Sequence, residues 1–224
     1  MIDMDDITAR KDRLIEACFM HVPFDGWTET TLDMASQDSE GNKDAWRQLF
    51  DNKVSRAFAH YNQRADRMMA EAFYDWLDAS DMPPPVHVKI RQLILIRLEA
   101  ARPHKEVVRK SLSYLSRPEH AKLAATSLYA TIDEMWRCAG DTSTDYNFYT
   151  KRASLSAVYS ATLLAFLADD TDDMSKTEAF LDRRLADIAK IPSMKRPFMA
   201  AAQTFQQRVQ ERASRFAQKM ANRR

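Results

Sequence analysis

One stretch of the chain decides the fold: Ala139-Gly140-Asp141-Thr142-Ser143-Thr144-Asp145-Tyr146-Asn147-Phe148-Tyr149-Thr150-Lys151-Arg152. An apolar helical segment ends here at Gly140, one of only three glycines in the protein. The five polar residues that follow suit a helix stop and a new N-cap. Two adjacent aromatics, Phe148 and Tyr149, then stand next to basic residues. A simple helix connector does not need this cluster, so the stretch is a candidate for function as well as for folding.

The composition of the whole chain predicts an all-α protein. Of its 224 residues, 45% are hydrophobic and 29% are charged, while glycine is scarce and methionine is frequent. Apolar residues recur at helical spacing, and strand-like alternation is hard to find, which predicts a bundle of about nine or ten helices. The first helix is expected over residues 7–20, with Pro23, Asp25 and Gly26 breaking it.

We expect three parts along the chain. Residues 1–55 have the pattern of a helix-turn-helix unit, with a threonine-rich entry to the second helix near Thr28 and a tight turn at Gly41. Residues 56–191 are expected to form a helical core. Residues 192–224 are expected to form a C-terminal amphipathic helix.

Several motifs resemble the Coq-nine family, the lipid-binding accessory proteins of ubiquinone biosynthesis. The strongest resemblance lies in residues 139–152, with shorter ones at residues 22–28, 127–129, 135–136 and 180–184. The resemblance implies a TetR-like fold. It also implies that the protein binds isoprenoid quinone precursors and presents them to the quinone hydroxylase.

The resemblance implies a lipid cavity within residues 56–191. Ligand pockets are mostly apolar with a few polar groups, although each apolar residue, taken alone, also suits ordinary core packing. The candidate lipid-binding residues are Leu93, Ile96, Leu128, Ile132, Met135, Trp136, Leu155, Val158, Tyr159, Leu163 and Phe166.

The same resemblance implies a partner surface at residues 139–152, because this region of the family is implicated in docking the di-iron hydroxylase. The family often has Trp where this chain has Phe148, which keeps an aromatic anchor but loses the indole N–H. Aromatic residues and arginine are frequent interface hot spots, whereas Asp141 and Asp145 also suit helix capping. The candidate partner-binding residues are Asp141, Thr142, Ser143, Thr144, Asp145, Phe148, Tyr149 and Arg152.

The last stretch of the chain, residues 195–224, is basic in a protein whose net charge is +1. It holds eight basic residues and one acid, Glu211, a net charge of +7. A basic amphipathic helix suits an anionic membrane surface, and it also suits packing on the domain or on a second subunit. Coq-nine proteins carry a membrane-engaging C-terminal helix, which favours the membrane. The candidate membrane-binding residues are Phe198, Phe205, Val209, Phe216, Met220, Arg208, Arg212, Arg215 and Lys219.

A TetR-type, ligand-responsive transcription regulator is the alternative function, because residues 28–53 resemble the start of such regulators. A DNA-reading helix needs cations for the phosphates, but residues 27–56 hold four basic and six acidic residues, a net charge of −2. Trp46 stands where base-reading polar groups are expected. We therefore expect no nucleic-acid partner. TetR-like folds usually dimerise through helices near the end of the chain, so a homodimer is expected.

The sequence shows no catalytic constellation, so we expect neither an enzyme nor a cofactor or metal site. Its five histidines lack partners at metal-binding spacing, and there is no glycine-rich phosphate loop or nucleophile elbow. Cys18 and Cys138 are far apart and suggest buried thiols in a reducing compartment. The segment of residues 1–6 is acidic, and it resembles neither a secretory signal nor a transit peptide. The expected location is the cytoplasm, peripheral to the inner membrane.

Overall fold

Helices form nearly all of the regular structure in the computed structural model, which describes residues 4–141 and 146–189, and no strand occurs in these ranges. The chain divides into two units, Met1–Asp182 and Arg183–Arg224. The packing below is that of the first unit. The predicted all-α fold is confirmed for the described residues, and the predicted helix at residues 192–224 lies outside them.

The described residues contain nine α-helices. These are α1 (Met4–Asp25), α2 (Glu29–Glu40), α3 (Ala45–Leu49), α4 (Val54–Asp78), α5 (Val86–Ala101), α6 (Lys105–Leu115), α7 (Ala121–Cys138), α8 (Tyr146–Ala168) and α9 (Ser175–Ala189). Short 3-10 turns at Arg102–His104 and Pro118–His120 join α5 to α6 and α6 to α7.

Helix α1 is longer than predicted, because Pro23 does not end it. The helix continues to Asp25 with Pro23 in its last turn. Proline lacks an N–H and removes one helical hydrogen bond, but the ladder resumes after it, and the Gly26 N–H donates to Val22 O at 2.9 Å. The helix ends at Gly26, whose φ of 69° is the left-handed conformation that favours glycine.

Helices α1, α2 and α3 share one apolar cluster with α4 and α6. Thr28 caps α2 by accepting the Thr31 N–H at 3.2 Å, and the Trp27 indole donates to Ser111 Oγ of α6 at 2.9 Å. The buried cluster consists of Leu14, Ile15, Cys18, Val22, Trp27, Leu32, Ala35, Trp46, Phe50, Ala57, Phe58, Val107 and Tyr114. The division of the chain at residue 55 stays a prediction.

A buried network of hydrogen bonds and one ion pair around Arg97 of α5 links four helices. Its Nε–H donates to Tyr159 Oη on α8 at 2.9 Å, and its Nη2 donates to Asn62 Oδ1 on α4 at 2.9 Å. Its Nη1 lies 2.6 Å from Asp66 Oδ1, also on α4, while Thr131 of α7 donates to Asp66 Oδ2 at 3.2 Å. Buried charges are stable only when paired and hydrogen-bonded, so this network fixes how α4, α5, α7 and α8 meet.

Asp169 organises the turn between α8 and α9. Its Oδ1 accepts the backbone N–H and the hydroxyl of Thr171, and its Oδ2 accepts the same two groups of Thr177, at 2.7 and 2.6 Å. Burial acts to raise the pKa of Asp169, but these hydrogen bonds outweigh it and hold the pKa well below its ordinary value. Met174, with a φ of 57°, lies within the same turn.

Candidate functional site

The segment of residues 139–152 forms the corner between α7 and α8. Helix α7 ends as predicted before Gly140, which has a φ of 84°. The Gly140 N–H donates to Arg137 O at 3.1 Å, and the Asp141 N–H donates to Trp136 O at 3.0 Å. Both bonds satisfy carbonyls of the last helical turn. The predicted partner-binding residues 142–145 lie outside the described residues, and α8 begins at Tyr146.

Arg152 lies inside this corner and is only 8% exposed. Its Nε–H donates to Asp133 Oδ1 of α7 at 2.8 Å, and its Nη1 lies 3.5 Å from Asp141 Oδ2. The Lys151 ammonium donates to Asp141 Oδ1 at 2.7 Å. These contacts join α7 to α8. Two of the predicted partner-binding residues, Asp141 and Arg152, therefore act here as the support of the corner.

The two aromatic side chains of the corner differ in exposure. The guanidinium carbon of Arg152 lies 3.4 Å from the ring centroid of Phe148, a cation–π contact. The rings of Phe148 and Tyr149 meet edge to face, with centroids 5.2 Å apart at 77°. Phe148 is half-buried, whereas Tyr149 is 70% exposed. The corner thus presents Tyr149 to solvent beside an aromatic ring that the arginine holds.

The eleven predicted lipid-binding residues lie on α5, α7 and α8. Seven of them are buried: Leu93, Ile132, Met135, Leu155, Val158, Tyr159 and Phe166. Four are half-buried: Ile96, Leu128, Trp136 and Leu163. Because the Tyr159 hydroxyl accepts the Nε–H of Arg97, it is part of the core network. A role of these residues in lipid binding stays a prediction.

Trp136 connects this predicted apolar wall to the corner. Its Nε1 is buried, and no acceptor for it occurs among the described residues. The Lys151 ammonium lies 5.4 Å from the centroid of the Trp136 ring. A buried indole N–H usually has an acceptor, so an oxygen atom of a bound molecule at this position would satisfy it.

A cavity of about 470 Å³ lies between α1, α4, α5, the following 3-10 turn and α6. None of the eleven predicted lipid-binding residues lines it, whereas Tyr61 and Arg97 do. Arg97 is not among the site residues predicted from the sequence. An arginine inside the apolar run Leu93–Leu98 is the signal that could have marked it, because buried charge in a helix core is rare unless it is paired.

The helix-turn-helix-like surface is poorly suited to DNA phosphates. Helix α3 has only five residues, and Trp46 is fully buried, with its indole donating to Asp33 Oδ1 at 2.6 Å. Arg47 also donates to Asp33 at 2.6 Å and to Asp44 at 2.8 Å, and it lies 3.6 Å from Glu29. A guanidinium held by three carboxylates would have to leave them to bind a phosphate.

Within residues 4–141 and 146–189, no three His, Cys, Asp or Glu side chains come together as a set of metal ligands. The buried thiol of Cys18 has a pKa that burial raises to about 12, so it is not a nucleophile at neutral pH. None of the helices in the same ranges is both long and apolar enough to cross a bilayer.

Comparison with known sequences places the corner inside a family segment. The COQ9 family model matches residues 121–192, which include α7, the corner and α8. The human "Ubiquinone biosynthesis protein COQ9, mitochondrial" is 30% identical over 179 residues, covering 78% of this chain and 56% of that protein. The Drosophila melanogaster protein of the same name is 24% identical over 202 residues, covering 89% and 61%. This chain therefore spans less than two thirds of the length of either relative.

Comparison with solved structures concerns the fold alone. The crystal structure of the TetR transcriptional regulator from Nitrosomonas europaea matches with a TM-score of 0.62 at 17% identity, covering 80% of this chain and 97% of that one. The predicted TetR-like fold is therefore confirmed, and at this identity the likeness carries no statement about DNA binding.

Proposed function

Because the resemblance of this chain to the COQ9 family is confirmed over residues 121–192, we propose that it acts in ubiquinone biosynthesis as a lipid-binding accessory protein without catalytic activity. It binds an isoprenoid quinone precursor at a membrane and presents it to the quinone hydroxylase. The observation that supports this proposal is the α7–α8 corner. There Tyr149 is 70% exposed, and the neighbouring Phe148 ring packs on Arg152.

The corner has the chemistry of a docking surface. Tyrosine is enriched among the residues that dominate interface energies, because it adds a large apolar area with a hydroxyl at its tip. The neighbouring Phe148 is held by Arg152, which is itself bonded to α7. A surface that is already ordered loses less conformational entropy on binding than a loose one. We therefore assign hydroxylase docking to Phe148 and Tyr149, with Arg152 and Asp141 as their support.

The lipid-binding step uses the apolar residues of α5, α7 and α8. Seven of the eleven are buried and supply an apolar wall, and four are half-buried and within reach of a ligand from the surface. Trp136 is among these four, and its indole N–H has no acceptor among the described residues. A quinone or phenol oxygen is a suitable acceptor for it. The bound head group then lies at the end of α7, next to the docking corner.

Membrane attachment is assigned to residues 192–224, which lie outside the described residues. A prenylated precursor is too apolar to leave the bilayer unaided, so its carrier must work at the membrane surface. The net charge of +7 over residues 195–224 suits anionic lipids, since each basic residue near such a surface contributes about 1 kcal/mol. This attachment gives the protein a cytoplasmic position on the inner membrane, with a homodimer as the expected assembly.

The docking step is tested by the affinity of the protein for the quinone hydroxylase. The Phe148→Ala, Tyr149→Ala double variant should bind the enzyme at least about tenfold more weakly, as expected for an interface hot spot. The matched control is Phe24→Ala, which removes an aromatic that is 79% exposed at the end of α1. The control should bind like the unmodified protein. An unchanged affinity of the double variant would refute the docking role.

A further inference from the structure

Small residues create the cavity between α1, α4, α5 and α6. Four alanines line it where larger side chains would bring the helices' surfaces into contact: Ala17, Ala65, Ala100 and Ala101. On α4 the lining residues recur at positions 61, 64, 65 and 68, which is one face of a helix. The volume of about 470 Å³ lies within the range of small-molecule sites in proteins. The space is therefore large enough for a ligand of moderate size.

The charged side chains that line this cavity are two arginines, Arg64 and Arg97, and one carboxylate, Glu16. Arg97 is 9% exposed and is already paired, since its Nη1 lies 2.6 Å from Asp66 Oδ1. Arg64 pairs at 3.3 Å with Glu16, which also lines the cavity. The Glu16 side chain is 69% exposed. An ion pair with so exposed a carboxylate is weak, so Arg64 can exchange Glu16 for a ligand anion.

Most of the remaining wall is apolar, and part of it reaches the surface. Met20 is 72% exposed and Met68 is 43% exposed, and both line the cavity. Phe19 also lines the cavity, with its ring centroid 5.9 Å from that of Tyr61 and 4.8 Å from that of His104. Methionine side chains adapt to ligands of different shape. Together with the alanines, they suit an alkyl chain rather than a compact polar molecule.

We propose that this cavity binds a free amphipathic carboxylate, with its carboxylate at Arg64 in place of Glu16 and its apolar chain directed past Ala65 towards Met20 and Met68. The site shares no residue with the predicted lipid-binding set, so it is a second ligand site and does not depend on quinone presentation. It also contacts α1 and α4 together. Its occupancy therefore adds contacts between the N-terminal helices and the rest of the first unit.

Calorimetric titration of the full chain with decanoate, below its micelle-forming concentration, tests this site. Decanol is the neutral comparison with the same chain length. We expect decanoate to bind at least about tenfold more tightly than decanol, a difference of about 1.4 kcal/mol. The Arg64→Gln variant should lose most of that preference. Arg67→Gln is its control, because Arg67 lies on α4 but pairs with Asp12 and does not line the cavity.

Filling the cavity is the second arm of the test. Ala65→Phe places a ring inside it, whereas Ala72→Phe places the same ring on an exposed position of α4. We expect Ala65→Phe to weaken decanoate binding at least about tenfold and Ala72→Phe to leave it unchanged. Ala101→Leu is the smaller replacement if the first variant does not fold. No binding of decanoate, equal binding of decanol, or normal binding by a folded cavity-filling variant would overturn the proposal.

Discussion

The guanidinium carbon of Arg152 lies 3.4 Å from the ring centroid of Phe148. The same guanidinium donates to Asp133 of α7 at 2.8 Å. One side chain therefore supports both the junction of two helices and the aromatic pair that we assign to docking. Replacing a supporting residue should therefore lower the stability of the protein, whereas replacing an exposed residue should weaken partner binding and leave the stability nearly unchanged.

The first prediction compares Arg152→Ala with Tyr149→Ala. Removing Arg152 leaves Asp141, whose side chain is 5% exposed, with one of its cationic partners gone. We expect the free energy of unfolding to fall by about 2 kcal/mol. Tyr149→Ala should change it by less than about 0.5 kcal/mol, because that side chain is exposed. Urea denaturation measures both. Equal losses in the two variants would contradict the division between support and surface.

The second prediction concerns the buried pair of Arg97 and Asp66. Replacing either partner leaves an uncompensated buried charge, so Arg97→Met and Asp66→Leu should each lower the free energy of unfolding by about 3–5 kcal/mol. The double variant removes both charges and should be more stable than the sum of the single losses predicts. Additive losses in a denaturation series would show that the two side chains do not act as a pair.

The third prediction is a pH dependence that arises from Asp169. Its pKa is lower in the folded protein than in the unfolded chain, where it is about 3.9. The stabilisation is thus present above that unfolded value and is lost as the pH falls further towards the folded pKa. Asp169→Asn should lower the free energy of unfolding by about 2 kcal/mol at pH 7.

The difference in the free energy of unfolding between the Asp169→Asn variant and the unmodified protein should become smaller when chemical denaturation is repeated below about pH 4. Asp172→Asn is the matched control, since Asp172 is an exposed residue of the same turn. It should differ from the unmodified protein by less than about 0.5 kcal/mol at either pH. A difference in the free energy of unfolding that does not change with pH would contradict the role of the ionised Asp169 carboxylate.

The fourth prediction is that the protein does not bind DNA specifically. Arg47 of α3 is held by Asp33 and Asp44, and Trp46 of the same helix is buried. Any affinity for duplex DNA at physiological salt should stay within the range of non-specific binding, with a Kd of about 1–100 µM. Gel-shift titration against a genomic fragment library measures this. Tight binding of one sequence would instead support the TetR-type regulator.

The fifth prediction concerns the basic C-terminal segment. A chain shortened to residues 1–197 loses most of the positive charge that distinguishes the segment from the rest of the protein. Its binding to vesicles with anionic lipids should be abolished, whereas the full chain should bind them and release them as salt is raised. Co-sedimentation with vesicles measures both. Undiminished binding of the shortened chain would exclude this segment as the anchor.

Local signals in the sequence predicted the helices well. Gly140 and the polar residues after it predicted where α7 ends, since glycine at a positive φ and side-chain caps act over a few residues. The predicted end of α1 at residue 20 was wrong, because Pro23 lies in the last turn of the helix and removes only one hydrogen bond. The family resemblance predicted the TetR-like fold, which composition and periodicity alone did not specify.

The interior of the site was harder to predict, because it depends on contacts between distant residues. Arg97 bonds to Asn62 and Tyr159 across 35 and 62 positions of sequence. The apolar run around Arg97 can indicate that it is buried, but no local pattern identifies its partners. Arg152 looks like a surface cation in the sequence but lies under the corner, because Asp133 faces it from the preceding helix. The cavity at Ala65 arises from small residues on three helices, a coincidence of packing that periodicity does not report.

The proposed function requires this protein to carry an isoprenoid quinone precursor. We expect mass spectrometry of lipid extracted from the full chain, purified without detergent from a host that makes quinones, to detect an isoprenoid quinone or its precursor. The amount should be close to one molecule per chain. Protein that is free of isoprenoid lipid under these conditions would refute the carrier role.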